Sequence, residues 1–206
     1  MGIGVFGGTF DPIHLAHLEL AQAALGQLSL DRIIFIPAGQ PWLRSGEPLA
    51  PAADRLAMVR LAVKGNPAFI VSDMEINRPG PTYTVDTLES LRHDLGEKER
   101  LHFIVGADVL DDFHRWKDTD RILQLCRLAV FQRAGIDKTK IKAFLDRFPN
   151  AGAKLDVLTA TVPDISGTKI RDSVAGGESI REDVPRPVEE YIQRCGLYGR
   201  VGIGKT

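Results

Sequence analysis

Gly2-Ile3-Gly4-Val5-Phe6-Gly7-Gly8-Thr9-Phe10-Asp11-Pro12-Ile13-His14-Leu15-Ala16-His17 begins as a short apolar run, passes through paired glycines and enters a stretch of helical period. Strand, glycine turn and helix in that succession start a βαβ unit, and α/β sheets bind ligands at the carboxyl end of such a strand. Gly7 and Gly8 let the backbone approach a phosphate closely, and Thr9 adds a hydroxyl donor. The helix beyond it points its first N–H groups the same way, which favours an anion by about 0.3 to 1 kcal/mol. His14 and His17 stand three positions apart, so on a helix they share a face and can grip one small anion from one side. By itself such a pair reads as readily as two solvent-facing or structural histidines. Zinc fits less well, because the metalloprotease signature spaces its histidines four apart.

Outward from this stretch, further short apolar runs occur at Ile33 to Ile36, Phe69 to Val71, Leu101 to Val105, Leu128 to Phe131 and Leu155 to Leu158. Segments of helical period separate them. His17 to Leu28 carries Leu18, Ala21, Leu25 and Leu28 on one face, and Arg55 to Val63 and Thr84 to Leu95 repeat the pattern. This alternation predicts an α/β fold, a Rossmann-like, doubly wound parallel sheet with helices on both faces. Gly39 to Pro51, with three prolines and two glycines, reads as a long loop after the second strand. The expected organisation is one domain over residues 1–206. Residues 1–163 form its α/β core, 164–198 a small C-terminal helical portion and 199–206 a tail.

Composition narrows the class of function. A chain of 206 residues with 44% hydrophobic and 26% charged residues is an ordinary globular protein. The 26 basic and 27 acidic residues nearly balance, so nothing attracts nucleic acid globally and any polyanion site must be local. Cys126 and Cys195 have no C-x-x-C spacing, which argues against a disulfide framework or a cysteine zinc site. No apolar run approaches the roughly 20 residues of a membrane span, and the N-terminus lacks the basic and apolar regions of a signal peptide. The cytoplasm is the expected compartment, with no membrane partner; self-association into a homo-oligomer is left open.

A second anion-binding element lies at Ile165-Ser166-Gly167-Thr168-Lys169-Ile170-Arg171. Ser166 reads as an N-cap, the helix it opens would present N–H groups to an anion, and Thr168 and Arg171 fall on its first turn. The heptad resembles the I-S-x-T-x-I-R motif of the nucleotidyltransferase superfamily. Gly8 to His17 resembles the same superfamily's G-T-F-D-P-x-H-x-G-H signature, with Ala16 at the last glycine. Arg78-Pro79-Gly80-Pro81-Thr82-Tyr83-Thr84-Val85-Asp86-Thr87-Leu88 resembles the R-x-G-x-S-Y-T-x-D-T-L stretch of its nicotinate mononucleotide branch. Thr84 also reads independently as an N-cap. Gly106-Ala107-Asp108, with Trp116-Lys117 downstream, resembles that branch's G-x-D segment and W-K pair.

The resemblance covers about Ile3 to Tyr198 and implies adenylyl transfer from ATP to nicotinate mononucleotide. It implies that His14, His17 and Thr9 meet the α phosphate, and that Ser166, Thr168 and Arg171 hold the β and γ phosphates. Arg44, in Gln40-Pro41-Trp42-Leu43-Arg44 where relatives often carry Pro-Pro-His-Lys, would add a third positive group on the leaving group. Gly7, Gly8, Phe10 and Gly106 would line the ATP site, with Asp108 accepting from ribose hydroxyls. Tyr83 and the backbone N–H groups behind Thr84 would receive the pyridine carboxylate, and Trp116 would stack on the ring. Mg²⁺ would arrive on the ATP phosphates, without a dedicated protein metal site.

Gly199 to Thr206 satisfies the P-loop expression G-x-x-x-x-G-K-[ST]. With no helix after it to supply dipole and amide donors, it reads as a tail. Among rivals, the pantetheine phosphate branch lacks the Tyr83-Thr84-x-Asp86 block, and a synthetase would need an anticodon domain and a K-M-S-K-S run. A sensor without turnover is disfavoured by intact His14, His17, Thr168 and Arg171.

Overall fold

The computed structural model describes residues 2–44, 46–132 and 138–199. Every predicted apolar run is a strand: β1 Gly2–Gly8, β2 Arg32–Pro37, β3 Phe69–Val71, β4 Arg100–Gly106, β5 Arg127–Gln132 and β6 Leu155–Thr159. They form one sheet in the order β3-β2-β1-β4-β5-β6, with all neighbours parallel. The chain winds outward from β1 to β3, then returns to β1's other side with β4. The resulting switch point lies between the carboxyl ends of β1 and β4, where open α/β sheets bind ligands.

Side chains alternate through the sheet as the pleat requires. On β2, Ile33 and Phe35 face a core shared with the helices α1 (Leu15–Gln27) and α2 (Ala52–Val63). Ile34 and Ile36 face the opposite core, shared with α3 (Thr84–Leu95). The short helices α4 (Val109–Asp112) and α5 (Thr119–Leu125), and then α6 (Lys138–Arg147), complete that second side. With two turns or fewer, α4 and α5 carry too little period to be read from sequence. The C-terminal helical portion is α7 (Gly167–Gly176) and α8 (Arg186–Cys195), whose Ile170, Val188 and Ile192 join the core beneath α1 and α2. Tyr191 ties α8 to α2 by donating to Asp54 Oδ1 at 2.7 Å.

The expected stripe on α1 needs correction. Ala16, Ala21 and Ala24 are its fully buried residues, while Leu18, Leu25 and Leu28 flank the core half-buried. Alanines let the helix axis approach the sheet closely, so the larger leucines spread to its margins.

The loop after β2 is fastened rather than loose. Arg55, 1% exposed, donates to three backbone carbonyls: Ala50 O at 3.0 Å, Thr9 O at 2.7 Å and Gly39 O at 3.1 Å. Gly39 runs so close to the chain after β3 that a Cβ there would sit 2.3 Å from Glu75 O. Among the described residues, no helix is long and apolar enough to cross a membrane. Of the P-loop-like stretch, residues 200–206 lie outside the described residues.

Candidate active site

Two cavities flank the switch point, and Gly106 at the end of β4 lines both. The smaller, about 220 Å³, lies between the start of α1 and the start of α7; His14, His17, Asp108, Ser166 and Gly167 line it. The larger, about 310 Å³, lies between β1, β4, the loop after β2 and the start of α3; Gly7, Gly8, Thr9, Arg44, Thr84 and Trp116 line it.

His14 is the N-cap of α1 rather than part of the helix, with extended backbone at φ −143°. It still shares a face with His17: the rings stack with centroids 3.7 Å apart. The His14 N–H donates to His17 Nδ1 at 3.3 Å. That bond makes Nδ1 an acceptor and leaves the ring proton on Nε2. Burial, and then the neighbouring His14, hold His17 well below the ordinary histidine pKa. His17 is therefore a neutral, fixed N–H donor on the wall of the cleft. One helix-start donor is already used, since Leu15 N–H binds Asp183 O at 2.9 Å.

At the start of α7, Ser166 and Gly167 line this cleft, whereas Thr168 and Arg171 do not. Ser166 caps α7, its Oγ accepting from Lys169 N at 3.2 Å. Arg171 Nη2 donates to Thr168 Oγ1 at 3.3 Å, and Nη1 donates to Asp11 O at 2.7 Å, joining α7 to the β1–α1 turn. Asp108 is exposed at the cleft's rim, with Lys140 Nζ 3.5 Å from Oδ1.

Several sequence expectations fall elsewhere: Gly7, Gly8 and Thr9, expected at the ATP phosphates, line the larger cavity and not the histidine cleft. Phe10 is a core residue, 2% exposed, whose ring meets His17 edge-on at 5.1 Å; its side chain supports the histidine instead of reaching the cleft. Arg44 lines the larger cavity, not the histidine cleft, and pairs with Glu47 at 3.5 Å, because the 3₁₀ turn Trp42–Arg44 folds toward α3. The N-cap of α3 is Tyr83 and not Thr84, which is the first helical residue. Thr84 still lines the cavity, while the Tyr83 ring faces Trp42 at 6.1 Å and Lys117 Nζ at 4.8 Å.

Trp116 lines the larger cavity and packs against Phe103 and Phe113. Its Nε1 is buried with no hydrogen-bond partner among the described residues. Sequence reasoning missed Glu75, a buried carboxyl on the same wall that accepts from Thr87 Oγ1 at 2.7 Å. Burial, partly opposed by Thr87, Thr82 and Arg78, raises Glu75 above the usual carboxylate range. It also missed Asp11 and Tyr198, although Asp11 sits inside the quoted signature.

The two cavities meet at one glycine, one lined by His14, His17 and the start of α7, the other flat-walled and aromatic. Residues 5–173 match the cytidylyltransferase-like family. A probable nicotinate-nucleotide adenylyltransferase of Dehalococcoides mccartyi is 44% identical over 197 residues, covering 96% of this chain and 97% of that one. A probable nicotinate-nucleotide adenylyltransferase of Thermus thermophilus is 43% identical over 200 residues, covering 96% and 100%. In fold, the chain is similar to Plasmodium falciparum nicotinic acid mononucleotide adenylyltransferase complexed with NaAD. The TM-score is 0.75 at 20% identity, covering 96% and 97% of the two chains.

Proposed function

The chain belongs to the cytidylyltransferase-like family, and from that membership we propose that it transfers the adenylyl group of ATP to nicotinate mononucleotide in NAD biosynthesis. The observation that carries this reading is the pair of cavities meeting at Gly106, with the histidines in one and Trp116 and the start of α3 in the other. ATP occupies the histidine cleft and the mononucleotide the aromatic cavity, which brings the two reacting phosphates together at the switch point.

A phosphate oxygen of the mononucleotide attacks the α phosphorus of ATP. A new P–O bond forms, the bond to the β phosphate oxygen breaks, and nicotinate adenine dinucleotide and pyrophosphate leave. The nucleophile is already an anion, so no general base is needed and catalysis rests on positioning and charge stabilisation. His14, His17 and Thr9 act at the α phosphoryl, and Ser166, Thr168 and Arg171 at the departing pyrophosphate. Gly7 and Gly8 give the backbone room, Asp108 receives the ribose and Arg44 serves the acceptor side. Mg²⁺ enters on the ATP phosphates as part of the substrate; Asp108, the acid lining that cleft, is already paired with Lys140.

Specificity arises in the acceptor cavity. Backbone N–H groups at the start of α3 donate to both oxygens of a pyridine carboxylate, whereas a carboxamide turns an NH₂ donor toward one of them. A donor facing a donor typically costs about 1 to 3 kcal/mol. Pyrophosphate release with MgATP and either mononucleotide is expected to favour the acid at least about tenfold in kcat/KM. Trp116→Ala should weaken both acceptors and keep most of the ratio. Equal rates with the two acceptors in the unaltered protein would refute the carboxylate site.

The P-loop-like tail has no part in this scheme. Deleting Val201 to Thr206 is expected to leave turnover unchanged, and a large loss of ATP binding in the shortened chain would overturn that dismissal.

A further inference from the structure

Three segments remote in sequence meet at Asp11, which is 4% exposed. Its Oδ1 accepts from the Tyr198 hydroxyl at 2.7 Å and from Ala50 N–H at 3.2 Å. Its carbonyl oxygen accepts from Arg171 Nη1 at 2.7 Å. Gly167, the first residue of α7, has no room for a Cβ, which would lie 2.8 Å from that same carbonyl. The remaining carboxylate oxygen, Oδ2, is buried without a hydrogen-bond partner among the described residues, and Arg171 Nη1 stands 3.7 Å away.

That last distance matters for how Arg171 is used. Charge-assisted hydrogen bonds run at about 2.7 to 2.9 Å. At 3.7 Å, Asp11 Oδ2 attracts the guanidinium by charge without taking up one of its N–H groups. Tyr198 and Ala50 both bind Oδ1, so together they fix the carboxylate plane and thereby the direction of this attraction. Arg171 is held by Asp11 O and Thr168 Oγ1, and its other donors remain for a ligand. The Tyr198 hydroxyl is kept a donor: burial, then the bond to Asp11 and its charge, raise it well above the ordinary tyrosine range.

We propose that Tyr198 is a positioning residue for the phosphate cleft. By donating to Asp11 it orients the carboxylate that steers Arg171, so the segment after α8 governs how firmly the departing pyrophosphate is held. Nothing in the signature motifs assigns it this part. The proposal rests on the adenylyl-transfer reading only for the identity of the leaving group, since pyrophosphate binding is measurable without an acceptor.

The test is a double-mutant cycle with Tyr198→Phe, Arg171→Ala and the pair. Each protein is measured for pyrophosphate Kd by calorimetry and for kcat and KM in pyrophosphate release. Tyr198→Phe alone should weaken pyrophosphate about fivefold and lower kcat by a similar factor, with acceptor KM unchanged. In the Arg171→Ala background it should change neither by more than about twofold, because the group it acts through is gone. The same loss in both backgrounds means general loosening and overturns the proposal, as does a folded Tyr198→Phe protein with parental Kd and kcat. If Tyr198→Phe does not fold, Asp11→Asn, which keeps an oxygen for the tyrosine but removes the charge, is put through the same cycle under the same criterion. Wild-type protein that binds pyrophosphate yet releases none from MgATP and nicotinate mononucleotide sinks the substrate reading alone, and the binding cycle still decides the role of Tyr198. Wild-type protein that does not bind pyrophosphate overturns both.

Discussion

Replacing His17 by alanine is expected to lower kcat by about 10² to 10³, the loss typical of removing one fixed donor to a developing charge. The protein should stay folded. The ring is a half-buried wall of the cleft, and its removal costs an edge contact with Phe6, one with Phe10 and a reciprocal bond at the start of α1. Those losses amount to roughly 1 to 2 kcal/mol, a fall of a few degrees in melting temperature for a chain of this size. Kinetic loss without matching thermal loss separates a functional donor from a packing residue. The pH response gives an independent check. His17 is held below its ordinary pKa in the fold, so it binds fewer protons there than in the unfolded chain. Its neutrality therefore contributes to stability above about pH 6.5, and that contribution is lost as pH falls from there toward the lowered value. The Nε2–H donor persists through the same interval, so turnover should show no break at the usual histidine pKa that depends on His17. A break near pH 6.5 that disappears in His17→Ala, or a folded alanine variant with full activity, would count decisively against the neutral-donor role.

Arg55→Ala should be the most destabilising single change in the region, costing about 3 to 5 kcal/mol and lowering the melting temperature by about 10 °C. The guanidinium is fully buried and ties together the turn after β1, the start of the loop after β2 and the entry to α2, through Thr9, Gly39 and Ala50. Burial pulls its pKa down, and the charge of Asp11, and less strongly Tyr198, opposes that pull, so the cation keeps a compensating neighbour. Removing it strands three carbonyls and leaves the Asp11 carboxylate without that neighbour. Arg55→Lys should recover only part of the loss, because an ammonium cannot copy the planar fork that reaches three acceptors. Thermal melts of both variants check this; an alanine variant that melts with the parent would show that the loops are held by something else.

The strands were legible because a parallel sheet covered on both faces writes itself as uninterrupted apolar runs, as at Ile33 to Ile36 and Leu128 to Phe131. The phosphate elements were legible because Gly7-Gly8-Thr9 and Ser166 to Arg171 are local: cap, turn and first helical turn are all encoded within a few residues. Arg55 was not legible. On an amphipathic helix it reads as a solvated charge, and two of its acceptors lie 46 and 16 positions away. Tyr198 and Asp11 meet across 187 positions, beyond the reach of any local pattern. Where the side chains of Arg44 and Phe10 lie was not legible for a related reason. A motif names which residues recur around a site, but whether a side chain faces ligand or core depends on backbone path, here a φ of +49° at Phe10 that turns its ring inward.

The common wall at Gly106 bears on product escape. Under the proposed chemistry, two separate guests become one tethered guest whose halves still sit in both compartments. Letting go of one half leaves it at a high local concentration set by the length of the diphosphate link, so recapture competes with escape. Affinity for the dinucleotide thus grows with the product of the two half-site affinities. Tightening either compartment to bind its own substrate better slows the departure of the joined molecule, and that antagonism limits how snug each can become before throughput falls.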